Sequence, residues 1–138
     1  MPLADISAVQ GAALLTSAEK MDKKPYLEDG GDSSNPEDGF DCSGLVWYVI
    51  HEVGKYSFEY RSTKTLNHHP MLRRLSLPQD PLRAGDLVLF SHHVGFYDPD
   101  PPKAGKTLYS ATSHGVRHEN PIFWGSPVGY YRLRVVTQ

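Results

Sequence analysis

Leu87-Val88-Leu89-Phe90-Ser91-His92-His93-Val94-Gly95-Phe96-Tyr97 is where the chain changes its hydrophobic period. Leu87–Phe90 and Val94–Tyr97 are short β-rich runs, and the same signal returns at Thr107–Thr112, Gly115–His118 and Tyr130–Val136, separated by Gly, Pro and Asp as antiparallel strands require. Upstream the period is helical. Between Asp5 and about Met21, Ile6, Val9, Ala13 and Leu14 recur at helical spacing, with Asp5 as the expected N-cap. A second helix is predicted from Ser43 to about Val53 on Leu45, Val46, Val49 and Val53, with Asp41 or its neighbour as N-cap and Gly54 as the stop. Residues 55–80, with Pro70 and Pro78, read as an irregular connection holding a short helix around Thr63–Leu72. Helices first and strands afterwards predict an α+β domain: N-terminal helices packed on one face of a central antiparallel sheet of about five strands.

At 138 residues the expected organisation is one domain, 1–138, able to bury roughly two-thirds of its unfolded surface. With 14 Lys+Arg against 16 Asp+Glu there is no global field to hold a polyanion, so no nucleic-acid partner is expected. One cysteine excludes an internal disulfide and a zinc site built from paired cysteines. The first twenty residues carry no Lys or Arg ahead of an Ala/Leu run broken by Gln10, Gly11, Thr16 and Ser17, which is neither a secretory signal peptide nor a membrane span. Residues 22–41 are acidic and interrupted by Gly and Pro, the chemistry of a solvated loop, and their acids do not follow the calcium-loop pattern. No metal and no cofactor are expected.

Two residues carry reactive chemistry. Cys42, in Phe40-Asp41-Cys42-Ser43-Gly44-Leu45, opens the second predicted helix, and His93 sits on a strand. A free thiol with a pKa near 8.5 is only ~3% ionised at pH 7, and lowering that pKa to about 6 takes roughly 3.4 kcal/mol. A helix N-terminus supplies about 0.3–1 kcal/mol, about 2 at best, so an imidazolium partner is needed. Taken alone, a free Cys is more often a small buried hydrophobe and a strand His a satisfied core residue. His92, next to His93 on a strand, is expected to face the opposite side and stay out of catalysis. His68 and His69 are expected to be exposed beside Pro70, and His114 and His118 fall on strand and turn, where helical ligand spacing has no meaning.

What shifts the balance is the company these residues keep. The chain resembles the NlpC/P60 superfamily of papain-like cell-wall cysteine peptidases over almost its whole length and in the family's order. Lys24-Pro25-Tyr26-Leu27 through Gly30-Gly31 is similar to the family's Pro-Tyr-x-x-Gly-Gly segment, with Glu28 or Asp29 where a Trp is usual. Gly39 through Val46 matches the nucleophile motif, and Arg61-Ser62-Thr63 resembles the Arg-Thr/Ser segment. Leu82 through Phe90 is similar to the Gly-Asp-Leu-Val strand, His93 through Tyr97 matches the base motif, and Tyr109-Ser110-Ala111-Thr112 with Gly115-Val116 resembles the strand of the third polar group.

The resemblance implies a papain-like fold and hydrolysis of an amide bond in the peptidoglycan stem, in the family favouring the γ-D-glutamyl-diamino acid bond. Cys42 would attack as thiolate paired with His93, giving an oxyanion and then a thioester that water hydrolyses. The Cys42 backbone N–H, helped by the Tyr26 hydroxyl, would hold the oxyanion, a donor worth about 2.7–4 kcal/mol of barrier. Asp41 and Ser43 would contact the stem peptide, and Arg61 is a further substrate candidate; Asp41 as helix cap, and Tyr26 and Arg61 as packing or surface residues, are the plainer roles. The third position, commonly His in the family, falls on Ser110, with His114 as the alternative member. Two other classes stay open: a non-catalytic wall-peptide-binding module, and a cysteine acyltransferase. The implied partner is the stem peptide, met as a monomer at a periplasmic or extracellular wall by an exported effector, a phage lysin or a trimmed hydrolase. An effector would add an immunity-protein partner.

Overall fold

The computed structural model describes residues 2–136. Its elements run β1 (Leu3–Asp5), α1 (Ala8–Glu19), α2 (Cys42–Trp47), β2 (Leu72–Arg74), β3 (Leu87–Phe90), β4 (His93–Tyr97), β5 (Leu108–Thr112), β6 (Gly115–Glu119) and β7 (Gly129–Val136). The described strands pair antiparallel throughout, in the order β1-β7-β3-β4-β5-β6, and β2 also pairs with β7. The α+β class holds, with the helices ahead of the main sheet.

Strand alternation divides the sheet into two faces. Val94 and Phe96 of β4, with Tyr109 and Ala111 of β5, join the main core against Leu14 and Leu15 of α1 and Leu45 and Val46 of α2. Val88, Phe90 and Leu108 belong to a smaller cluster with Tyr97, Trp124 and Tyr130. A bidentate, buried ion pair ties the start of β3 to β7: Arg132 donates from Nε to Asp86 Oδ1 at 2.9 Å and from Nη2 to Oδ2 at 2.8 Å. At Gly85 (φ 88°) an added Cβ would lie 2.0 Å from the Gly11 carbonyl oxygen, so α1 can approach the β3 turn only over glycine.

The structure corrects the sequence-based expectations in three places. The sheet has seven strands, not about five, because β1 and β2 are three-residue strands that find partners on the eight-residue β7. Asp5 is not a helix cap. It lies in β1, where Arg73 binds its carboxylate at 2.7 and 2.9 Å. Ser7 caps α1 instead, in a capping box with Gln10. The helix expected around Thr63–Leu72 shrinks to a single 3-10 turn, Leu66–His68, because Pro70 holds His69 in extended backbone (φ −65°, ψ 127°) and the chain runs on into β2. The second helix begins at Cys42, widens into a π-helical stretch from Tyr48 to Val53 and stops at Gly54.

Candidate active site

Asp41 sets the start of α2. Its Oδ1 accepts the Gly44 N–H at 2.6 Å as an N-cap, and its Oδ2 accepts the Gly31 N–H at 3.1 Å, pinning the acidic loop to the helix. Gly44 is required there, since a Cβ would stand 2.6 Å from both Asp41 Oδ1 and the Gly31 carbonyl oxygen. Cys42 follows as the first helical residue, partly buried, with the Val94 backbone N–H donating to its sulfur. Burial pushes the Cys42 thiol up, more strongly than that N–H lowers it, and the Asp41 carboxylate pushes the same way.

His93 is the first residue of β4, paired across the hairpin with Phe90. Alternation turns it away from Val94 and Phe96 and onto the side shared by Gly95 and Ser110. There its Nε2 lies 2.8 Å from Ser110 Oγ, a fully buried contact. Gly95 makes room for it, because a Cβ at that position would come 2.9 Å from Ser110 Cβ and 2.7 Å from Leu108 Cδ1. The Trp124 indole lies on the imidazole with ring centroids 3.6 Å apart and planes 10° from parallel. His93 is 2% exposed, and burial pushes its pKa down to about 3. Burial therefore penalises the charged form of both partners of the expected thiolate–imidazolium pair, and favours thiol and neutral imidazole at rest.

Cys42 opens into a cleft of about 460 Å³ whose walls include Tyr26, Asp41, Ser43, Tyr60 and His92, with Glu28 and Asp29 on the acidic loop. Tyr26 reaches it through a single parallel bridge to Phe40, and Ser43 Oγ is 2.9 Å from the Tyr60 hydroxyl. Of the residues expected at the site, Cys42, Tyr26, Asp41 and Ser43 line this cleft, and His93 and Ser110 lie together beside the Val94 N–H that meets the sulfur.

Others are placed differently. Arg61 is not among the cleft residues: its guanidinium donates to the His68 carbonyl at 3.0 Å and to Glu59 at 3.2 Å, while its neighbours Tyr60, Ser62 and Thr63 face the cleft. His114 sits exposed in the β5–β6 turn, its N–H on Thr112 Oγ1, and Ser110 is the group on the imidazole. His92 is not on a strand. It occupies the two-residue hairpin loop before β4 and lines the cleft, because alternation begins only at His93. His69 is buried rather than exposed, stacked on Phe58 at 4.0 Å and bonded to the Glu59 carbonyl at 2.9 Å. Tyr60 and Trp124 carried no sequence signal of their own. Among the described residues the one set with metal-ligand geometry is Glu19, Asp98 and His118, whose ligand atoms lie within 4.8 Å of one another, and none of the three lines the cleft.

A model of the NlpC/P60 family matches residues 23–126. The "Probable endopeptidase YafL" of Escherichia coli (strain K12) is 33% identical over 98 residues, 62% of this chain and 36% of that protein. The "Murein DD-endopeptidase MepH" of the same organism is 38% identical over 82 residues, 54% of this chain and 28% of that protein. The chain thus matches about a third of the length of these relatives. The crystal structure of the NlpC/p60 domain of the peptidoglycan hydrolase SagA superposes with a TM-score of 0.60 at 22% identity, covering 92% of this chain and 98% of that one. A lipoprotein-like NLP/P60 structure from Staphylococcus aureus subsp. aureus Mu50 gives 0.69 at 19% identity, over 99% of this chain and 45% of that one. At these identities the two structures speak for the fold.

Proposed function

The chain belongs to the NlpC/P60 family, and from that premise we propose that it is a cysteine peptidase that hydrolyses an amide bond in the peptide stem of peptidoglycan at a periplasmic or extracellular wall. The observation that carries the reading is a helix-start cysteine, open to a cleft and bonded by the Val94 N–H, beside a buried histidine one residue earlier in β4 whose Nε2 is held by Ser110. That bond leaves Nδ1 as the nitrogen that takes the thiol proton. With both groups favoured neutral at rest, His93 acts as a general base: the thiol proton moves to Nδ1 as the sulfur adds to the scissile carbonyl. The tetrahedral oxyanion forms beside the Cys42 backbone N–H and the Tyr26 hydroxyl. Its collapse breaks the C–N bond, the imidazolium gives its proton to the leaving amine, and water hydrolyses the thioester with His93 again as base. Glu28 and Asp29 on the cleft wall complement an ammonium group, which the diamino acid of a wall peptide carries.

The family resemblance favours the γ-D-glutamyl-diamino acid bond, whereas one relative is named a DD-endopeptidase, so the experiment distinguishes the two. Purified sacculi are digested with the wild type, Cys42→Ala and His93→Ala, and the fragments are identified by mass spectrometry. New stem-peptide termini from the wild type alone, at one defined bond, are expected. Binding of sacculi without any product identifies a recognition module instead, and amine-bearing or newly crosslinked products identify an acyltransferase.

A further inference from the structure

Nothing in the dyad accounts for why the turn after β6 is built as it is. Pro121–Trp124 is a 3-10 turn capped by the Asn120 side chain, which accepts the Ile122 N–H at 3.0 Å. Two of its large side chains, Ile122 and Phe123, are 75% and 77% exposed. Trp124 turns inward and lies face to face on His93. The indole is also tethered at its far edge: Nε1–H donates to Glu119 Oε1 at 3.2 Å. The other oxygen of Glu119 accepts from Arg117 Nη2 at 2.9 Å and Nε at 3.2 Å. Glu119 is itself buried, so the carboxylate is a fixed anchor, and a carboxylate accepts more strongly than a neutral group.

We propose that Trp124 is a positioning residue for His93, and that Glu119 and Arg117 of β6 form a clamp that holds the indole against the imidazole. Three effects follow from the geometry. The stack fixes the plane of the imidazole, which the Ser110 bond alone leaves free to tilt about the Nε2···Oγ axis. It shields that bond from water on the side where Trp124 borders a second, open cleft of about 310 Å³. It also withholds water from the ring, which holds the imidazole neutral. The elements packed against the ring add no competing charge: β5 offers the Ser110 hydroxyl and β3 the Phe90 ring, and burial alone moves the imidazole. Glu119 is engaged by the indole on one oxygen and by Arg117 on the other.

The kinetic part of this inference rests on His93 being the base; the titration of its ring does not. The full chain is ¹⁵N-labelled, and the His93 ring nitrogens are followed by NMR from pH 3 to 8 in the wild type, Trp124→Ala, Trp124→Phe and Glu119→Ala. Trp124→Ala is expected to raise the His93 midpoint by about one unit or more. It should lower kcat on sacculi or stem peptide about tenfold or more with KM nearly unchanged. Trp124→Phe restores an aromatic face and recovers most of both, and Glu119→Ala falls between them. The clamp is overturned if His93 keeps the wild-type midpoint and tautomer in a folded Trp124→Ala, or if Trp124→Phe shifts it as far as an alanine does. Should Trp124→Ala fail to fold, an unchanged ring in Glu119→Ala overturns the tether on its own. A wild type without hydrolytic activity defeats the proposed function and leaves the titration still decisive for the clamp.

Discussion

Ser110 stands where the family resemblance leads one to expect a His, and its hydroxyl meets the imidazole. At 2.8 Å it engages Nε2 and leaves Nδ1 as the ring nitrogen outside that bond. A neutral hydrogen bond of this kind contributes about 0.5–1.5 kcal/mol, so Ser110→Ala is expected to lower kcat roughly tenfold or less and leave the fold intact. Steady-state kinetics with a thermal melt checks both, and a loss near that of His93→Ala would mean the hydroxyl does more than orient. His93 itself makes stability depend on pH. Its folded value, about 3, lies below the ordinary 6.5, so between these values the unfolded chain binds a proton that the folded chain excludes. The contribution is fully present above about 6.5 and is lost as pH falls toward 3. His69, lowered chiefly by burial, acts in the same direction. Urea midpoints should therefore fall between pH 6.5 and 4, and His93→Gln should flatten the slope without abolishing it. The placement of Cys42 at a helix start and of His93 on a strand was legible from the sequence, because an N-cap Asp and an apolar period-two run flank them. Trp124 was not, since Pro-Ile-Phe-Trp says nothing about which of its three large side chains turns inward. His92 was misplaced by starting the strand alternation one residue too early.

Among the elements, β3 and β4 were readable to within a residue, because buried strands in a hairpin carry dense apolar runs. β1 and β2 were not readable: three residues are too few for a period-two pattern, and what makes them strands is β7, more than fifty residues further on in sequence from either. The Gly-Asp-Leu-Val segment shows the reverse case, a motif whose presence was plain and whose purpose needed the structure. Asp86 and Arg132, each about 3% exposed in their side chains, pair at 2.8 Å, and the Arg83 N–H adds a bond to the same carboxylate. Removing one partner strands a buried charge, so Asp86→Asn is expected to cost about 3–5 kcal/mol, read from chemical denaturation. Gly95 has a sharper consequence. A methyl there meets Ser110 and Leu108 below contact distance, so Gly95→Ala should reduce activity more than Ser110→Ala does, by separating β5 from the imidazole as well as destabilising the sheet. An equal or smaller effect would show that β5 can yield without disturbing the base.

On the scale of the whole molecule, the helix start delivers the thiol from one side of the sheet, and the β6–β7 connection delivers the brace for the imidazole from the other. No described helix is long and apolar enough to cross a membrane. β7 pairs with β1, β2 and β3, which gather residues 3–5, 72–74 and 87–89 onto one strand. A chain ended before Gly129 is expected to lose cooperative unfolding altogether, seen as a broad, featureless melt, because β1 and β2 lose the strand they pair with and β3 loses one of its two neighbours at once. That same strand sets a clock on synthesis. The ribosome emits Cys42 early and His93 midway, yet the Trp124 stack on His93 and the pairings of β7 form only after both have left the exit tunnel, and such distant pairings close slowly. On the proposed reading, the nascent chain carries its thiol without a braced imidazole, and the brace arrives only once β7 has cleared the tunnel.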